Sequence, residues 1–250
     1  MIRRFEGKVA LVTGASKGIG AGTAIRLGVE GAAVAVNYNA GKDGADRVVA
    51  AITAKGGKAV AIQGNLADPG DVKRVVADTV KAFGPIDILV NNASIYAFRP
   101  LGEITPEHFH EHFDLNVLGL LLISQEAVRH FNPHGGSIVN ISSAISTITL
   151  PNSTVYTGTK AAVDAISSVM SKELGPRNIR VNAVNPGYIP TEGLTSTGLD
   201  TSENRNTAVA VIPLGRIGKV EEVAAAVAFF ASDDAAYVTG ETLHISGGRR

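Results

Sequence analysis

The sequence predicts an α/β fold, a doubly wound parallel sheet of about seven strands with helices on both faces. Two observations carry this expectation. Short apolar runs alternate with longer amphipathic segments along the whole chain. Those runs are also nearly continuous in apolar residues, the pattern of strands buried on both faces beneath crossover helices.

Taken in order, the strand candidates are 8–13, 33–37, 59–62, 86–90, 136–141, 179–184 and 242–245. Helical patterns lie between them at 18–29, 43–55, 69–83, 106–131, 154–174 and 220–231. The breaks use helix-stop chemistry: Gly31 after the first helix, Gly56 and Gly57 after the second, Gly84 and Pro85 after the third. No internal repeat or compositional shift divides the chain, so residues 1–250 are expected to form one dinucleotide-binding domain. Only 188–218 lacks a clear period. It is too long for an ordinary connection and is expected to be a substrate lid.

Composition removes several classes of function. Lys plus Arg and Asp plus Glu number 23 each, so bulk charge points to neither nucleic acid nor a membrane surface. The absence of cysteine excludes disulfides and thiolate metal sites. The N-terminal apolar run Val9–Val12 is too short for a signal-peptide core, and 223–231 falls short of the ~20 residues of a membrane helix. A soluble, cytoplasmic protein is expected.

The first strand runs into Thr13, Gly14, Ala15, Ser16, Lys17, Gly18, Ile19 and Gly20, and a helix follows at once. Glycines there permit a tight turn and close backbone approach to a pyrophosphate, whose charge the free N–H groups and dipole of the new helix favour. A turn that merely joins strand to helix would not need three glycines. At the end of the second strand, where an acid would bind an adenosine ribose and repel a 2′-phosphate, stand Asn37, Tyr38 and Asn39, with no acid before Asp43. With Lys17 in the turn and Lys42 nearby, this favours NADP(H) over NAD(H).

Tyr156 and Lys160 are four apart in a helical pattern and share a face. A phenol with a free pKa of about 10 relays protons poorly at neutral pH, and a neighbouring ammonium is expected to lower that value. Ser143 follows the strand 136–141, at the end where this fold places ligands. Alone, a tyrosine and lysine so spaced are more often a helix surface.

In combination these motifs resemble the short-chain dehydrogenase/reductase superfamily, a Rossmann-like fold, over essentially the whole chain. The resemblance rests on TGASKGIG at 13–20, on Asn91, Asn92, Ala93 and Ser94, on Ser143, Tyr156 and Lys160, on Asn116 in LNVLG, and on Asn185, Pro186, Gly187, Tyr188, Ile189, Pro190 and Thr191. It implies a catalytic set of Asn116, Ser143, Tyr156 and Lys160, with a main-chain irregularity and a water-mediated proton relay at Asn116. It further implies cofactor contacts from Gly14, Ser16, Lys17, Gly18, Ile19 and Gly20, then Asn37, Tyr38, Asn39, Asn65 and Leu66, then Asn92, Ala93 and Ser94, with Tyr156 and Lys160, and from Pro186, Gly187, Ile189 and Thr191. Two residues depart from the pattern: Ser94 stands for a glycine, and Asn65 for an aspartate that contacts adenine. The reaction implied is hydride transfer between nicotinamide and a ketone or secondary alcohol, in a homotetramer.

The substrate is less legible. Ser94, Ile95, Tyr96, Ser146, Thr147, Tyr188 and a lid around 194–199 are candidate pocket residues, without an arginine clamp. The segments PLGRIGKVEEVA and YVTGETLHISGG resemble 3-oxoacyl-carrier-protein reductases. Arg177 suits a carrier-protein contact, but Phe131, Asn132, Pro133 and His134 supply no cation at the other expected place, which leaves a general carbonyl reductase as the leading reading. A glucose- or polyol-type dehydrogenase is the alternative, and a non-catalytic dinucleotide sensor a more distant one. His108 and His112 could grip a metal, but no acid or cysteine completes a site, so no metal is expected and a solvated or interface helix face is the preferred reading.

Overall fold

Strands that are apolar throughout need cover on both faces, and the strands at the centre of the sheet have it, while the edge strands at 58–63 and 242–245 stay partly exposed. The computed structural model describes residues 3–196, 198 and 200–249. The first half comprises β1 (Val9–Val12), α1 (Gly18–Val29), β2 (Ala33–Tyr38), α2 (Lys42–Thr53), β3 (Lys58–Gln63), α3 (Pro69–Phe83) and β4 (Ile88–Asn91). The second comprises α4 (Pro106–Phe113), α5 (Leu120–Arg129), β5 (Gly136–Ile141), α6 (Ile145–Ile148), α7 (Thr154–Leu174), β6 (Ile179–Pro186), α8 (Glu192–Ser196), α9 (Ser202–Val211), α10 (Val220–Ala231) and β7 (Thr242–Ile245). Every strand pair is parallel, in the order β3-β2-β1-β4-β5-β6-β7. The order reverses between β1 and β4, which opens a crevice beyond their C-terminal ends, where such sheets bind ligands.

Successive strand residues point to opposite faces. Ala10 and Val12 therefore join one core with Leu27, Ile52, Val227 and Phe230, while Leu11 joins the other with Val75, Leu89, Ile123 and Ile138. Val34 and Val36 part from Ala35 in the same way, and Ile88 and Val90 from Leu89. The fourth strand begins later than expected, because Ile86 pairs with Phe131 and the Asp87 carboxylate accepts from Val9 N at 2.8 Å.

Two expectations about helices need correction. The segment 106–131 is not one α-helix: α4 and α5 are joined by a π-helical turn at Asp114–Gly119. Over α4, the turn and α5 its buried positions are 108, 112, 116, 119, 120, 123, 124 and 127, so that one stripe at 108, 112, 116, 120 and 124 repeats every four residues beside a second at 119, 123 and 127. On a 3.6-residue helix such a stripe drifts around the axis, and a wider turn takes up the drift. The stretch 188–218 is not without regular structure, since it contains α8 and α9. Of the lid proposed around 194–199, residues 197 and 199 lie outside the described residues. Among the described residues no helix is long and apolar enough to cross a membrane.

Candidate active site

The turn after β1 is braced from below. Thr13 Oγ1 accepts from Asn92 N at 2.9 Å and Ala93 N at 3.0 Å, and it donates to Val90 O. Asn92 returns two bonds, its Nδ2 donating to Thr13 O and Gly14 O, both at 2.9 Å. Gly14 has φ +59, and a Cβ there would stand 2.8 Å from the Ala93 Cα. At Gly20 a Cβ would meet Asn92 Nδ2 at 2.4 Å, so neither position admits a side chain without rearrangement. Lys17 is the N-cap of α1 and supplies no side-chain cap, leaving N–H groups for an outside acceptor. One acceptor comes from the start of α8, where Glu192 Oε2 takes the Gly18 N–H at 3.0 Å.

Beside this turn lies a cavity of about 390 Å³, lined in part by Ser16, Lys17, Gly41, Lys42, Arg47 and Glu192. Lys42 is paired with Asp46 at 2.5 Å. Arg47, one turn further along α2, is a cation that the motif reading missed, because it lies in a helix and not in the turn.

Several expected contact residues face elsewhere. Asn37 is buried, its Oδ1 accepting from Gly14 N and its Nδ2 donating to Ile62 O and Gly64 O. It ties the turn after β1 to β3 and the loop that follows it. Tyr38 and Leu66 are core residues, while Asn39 is exposed at the rim. Asn65 Oδ1 is held by Ala67 N at 3.1 Å, which orders the loop after β3. The hydroxyl of Ser146 accepts from Asn185, and that of Thr147 meets His244.

The proposed catalytic residues converge where β5, α7 and the π-turn meet. Lys160, almost fully buried, donates from Nζ to Ile141 O at 2.9 Å and lies 5.7 Å from the Tyr156 ring centroid. Asn116 Oδ1 accepts from Ile95 N, and its Nδ2 donates to Ile95 O and to Thr159 Oγ1. Thr159 in turn donates to Tyr156 O at 2.7 Å. Ser143 Oγ accepts from Ile145 N at 3.2 Å in the loop after β5. The ring of Tyr96 is 5.7 Å from that of Tyr156, and that of Phe98 6.1 Å. Phe98 was missed, although 94, 96 and 98 share one side of an extended segment.

Electrostatics here correct the expected lowered tyrosine pKa. Burial pushes the Tyr156 hydroxyl above its usual value, with the Ser143 hydroxyl acting against the rise. Burial also brings Lys160 down from 10.5 to about 8, Asp164 pulling the other way. For Tyr156 desolvation is the largest cause, opposed by the Ser143 hydrogen bond and reinforced by Tyr96.

On the far wall Pro186 O accepts from Ala144 N, and Gly187 N donates to Ile245 O. Ile189 is buried, and Thr191 lies against Gly18, where a Cβ would stand 3.2 Å from its side chain. Tyr188 Oη donates to Asp200 Oδ1 at 3.2 Å, and Arg205 grips the same carboxylate through Nε and Nη2 at 2.7 and 2.6 Å, which ties Tyr188 to the start of α9.

A family model described as enoyl-(acyl carrier protein) reductase matches residues 14–250. An uncharacterized oxidoreductase of Methylorubrum extorquens is 52% identical over 99% of both chains. The chain belongs to the short-chain dehydrogenase/reductase family. As such it is an oxidoreductase. It is also similar to the 3-oxoacyl-[acyl-carrier-protein] reductase FabG of Staphylococcus aureus, 40% identical over 96% of this chain and 97% of the relative. Among solved structures, a short-chain dehydrogenase from Burkholderia cenocepacia in complex with NADP superposes with a TM-score of 0.93, at 37% identity over 98% of this chain and 99% of that one.

His108 and His112 correct another expectation. They are buried, not on a solvated face, with 3% and 0% of their surface exposed. An acid does stand beside the pair, against the expectation that none would: the ligand atoms of His108, Glu111 and His112 lie within 4.8 Å of one another. Both nitrogens of His112 are already engaged, Nε2 by Ala97 N and Nδ1 by His108 O, so it has no lone pair for a metal without breaking those bonds.

Proposed function

We propose that this chain is an NADP(H)-dependent carbonyl reductase of the ketone or 3-oxoacyl type, with Tyr156 as the acid. The observation that carries the reading is the placement of Tyr156: its ring lies near Lys160 Nζ, its hydroxyl meets Ser143, and the tilted rings of Tyr96 and Phe98 flank it. The residues fit a dinucleotide: two glycines without room for a Cβ, a helix N-terminus that Lys17 does not cap, and Lys17 and Arg47 beside the cavity. Those two cations support the phosphorylated form, as does the NADP held by the Burkholderia relative.

When bound, the nicotinamide supplies the hydride that becomes the new C–H bond at the carbonyl carbon. Tyr156 gives its proton to the carbonyl oxygen, completing the alcohol. The phenol is protonated at neutral pH, the form that a reduction consumes. Ser143 donates a hydrogen bond to the same oxygen. Lys160 stabilises the tyrosinate left behind, and Asn116 holds the relay that returns a proton. Residues 1–250 act as one unit in this reading, with 188–218 as lid. A homotetramer belongs to the same reading, supported by the exposed apolar side chains of Phe109, Leu118, Leu121, Val169, Phe229, Tyr237 and Leu243.

The experiment follows NADPH absorbance with a panel of ketones, 3-oxoacyl thioesters and sugars. Tyr156→Phe should lower kcat by about 10²–10⁴-fold while NADPH affinity holds. Retained turnover sinks the assignment, and oxidation of sugars in preference to reduction of ketones favours the polyol reading.

A further inference from the structure

The segment 92–99 has no regular secondary structure, yet alternate peptide N–H groups are held in sequence. Ala93 N donates to Thr13 Oγ1 at 3.0 Å, Ile95 N to Asn116 Oδ1 at 2.9 Å, Ala97 N to His112 Nε2 at 2.9 Å and Arg99 N to Asn152 O at 2.8 Å. In an extended chain the intervening residues then share a side. Those residues are Ser94, Tyr96 and Phe98, and the last two face Tyr156.

His112 is the anchor nearest the two rings in sequence register, since Ala97 lies between them. Because Ala97 N is a donor, Nε2 carries no proton; the proton is on Nδ1, which donates to His108 O at 2.8 Å. The imidazole is fully buried and packed 4.5 Å from the His108 ring. A buried histidine with both nitrogens spent on backbone groups holds those groups at a fixed separation, here a helix turn of α4 and the pocket wall.

We propose that His112 is the positioning residue of the carbonyl site: by holding Ala97 it sets the Tyr96 and Phe98 rings over Tyr156 and selects carbonyls that carry a flat, apolar substituent. This rests on the proposed reduction. Rings held at this spacing can stack on an aryl group, whereas a small aliphatic ketone gains little from them.

The test compares His112→Leu, which removes the acceptor, with His112→Gln, whose amide oxygen can reach the Nε2 position. Hydrogen–deuterium exchange of the 93–99 peptide in the NADPH-bound enzyme reads the anchor without any turnover. It should quicken by about tenfold or more in the leucine variant and stay near wild type in the glutamine variant, as expected when a backbone N–H loses its partner. Calorimetric affinity and KM for an aryl methyl ketone should weaken by about tenfold in the leucine variant, with kcat and the KM for butanone within about threefold, and glutamine should restore both. If His112→Leu does not fold, His112→Asn, too short to reach Ala97, replaces it. Unchanged exchange overturns the anchor. Faster exchange with equal losses for aryl and aliphatic ketones overturns the selection. A wild-type enzyme that binds the aryl ketone but turns over no carbonyl would refute the reduction while leaving the exchange and calorimetry to judge His112.

Discussion

Lys160 is stable in an unfavourable place, and its cost can be measured. Burial moves its ammonium from 10.5 to about 8, which corresponds to about 3 kcal/mol of folding free energy at neutral pH. The sign follows from proton counting. Between those two values the unfolded chain binds the proton and the folded chain does not, so stability rises with pH through that window; below the folded value the cost is full and constant. From about pH 7 to about pH 9.5 the gain amounts to about 2 kcal/mol. Lys160→Met fills similar volume and cannot titrate. It leaves Ile141 O without the 2.9 Å bond from Nζ, a loss of about 1–3 kcal/mol that does not depend on pH. Urea unfolding of both proteins across this range should therefore show wild type gaining about 2 kcal/mol on the variant as pH rises. Parallel curves, or a wild type that falls relative to Lys160→Met, would refute a desolvated ammonium at this site. The variant should also lose turnover, which would mark the burial as a stability cost retained for chemistry.

Other perturbations test the cofactor side. Arg47→Ala should weaken NADPH by about tenfold and NADH by no more than about twofold, the difference shrinking in high salt; equal weakening of both would remove Arg47 from the phosphate pocket. Glu192 puts a carboxylate on the Gly18 N–H that a diphosphate would use, so Glu192→Gln should tighten NADPH by about two- to fivefold in a fluorescence titration, and looser binding would count against that competition. Thr13→Val strips the acceptor from two N–H groups, those of Asn92 and Ala93, and should destabilise by about 2–5 kcal/mol in urea, a loss below about 1 kcal/mol being incompatible with the bracing described.

The sheet was legible because it is buried on both sides: Leu11, Leu89 and Ile138 face one core while Val12, Val90 and Val139 face the other, and a fully apolar run is the only pattern that satisfies both. The glycine turn was legible because the constraint on it is local. The π-turn was not, since a four-residue stripe at 108, 112, 116, 120 and 124 differs from an ordinary helical one only in its persistence. The inward turn of Asn37 could not be read from the chain, because its partners Gly14, Ile62 and Gly64 arrive from two other strands. Arg47, Phe98 and the burial of His112 depend likewise on contacts across the fold. The direction of the Tyr156 shift was misjudged for a similar reason: spacing along a helix reveals a neighbouring charge, whereas burial depends on everything packed around it.

Asn92 clasps Thr13 O and Gly14 O from the same stretch of backbone that carries Tyr96 and Phe98. The dinucleotide turn and the aromatic wall are thus two ends of one short strut. Whatever factor a bound dinucleotide applies to the enzyme's affinity for its carbonyl, the carbonyl must apply to the dinucleotide in return. A titration of either ligand, with and without the other, would measure the stiffness of that strut.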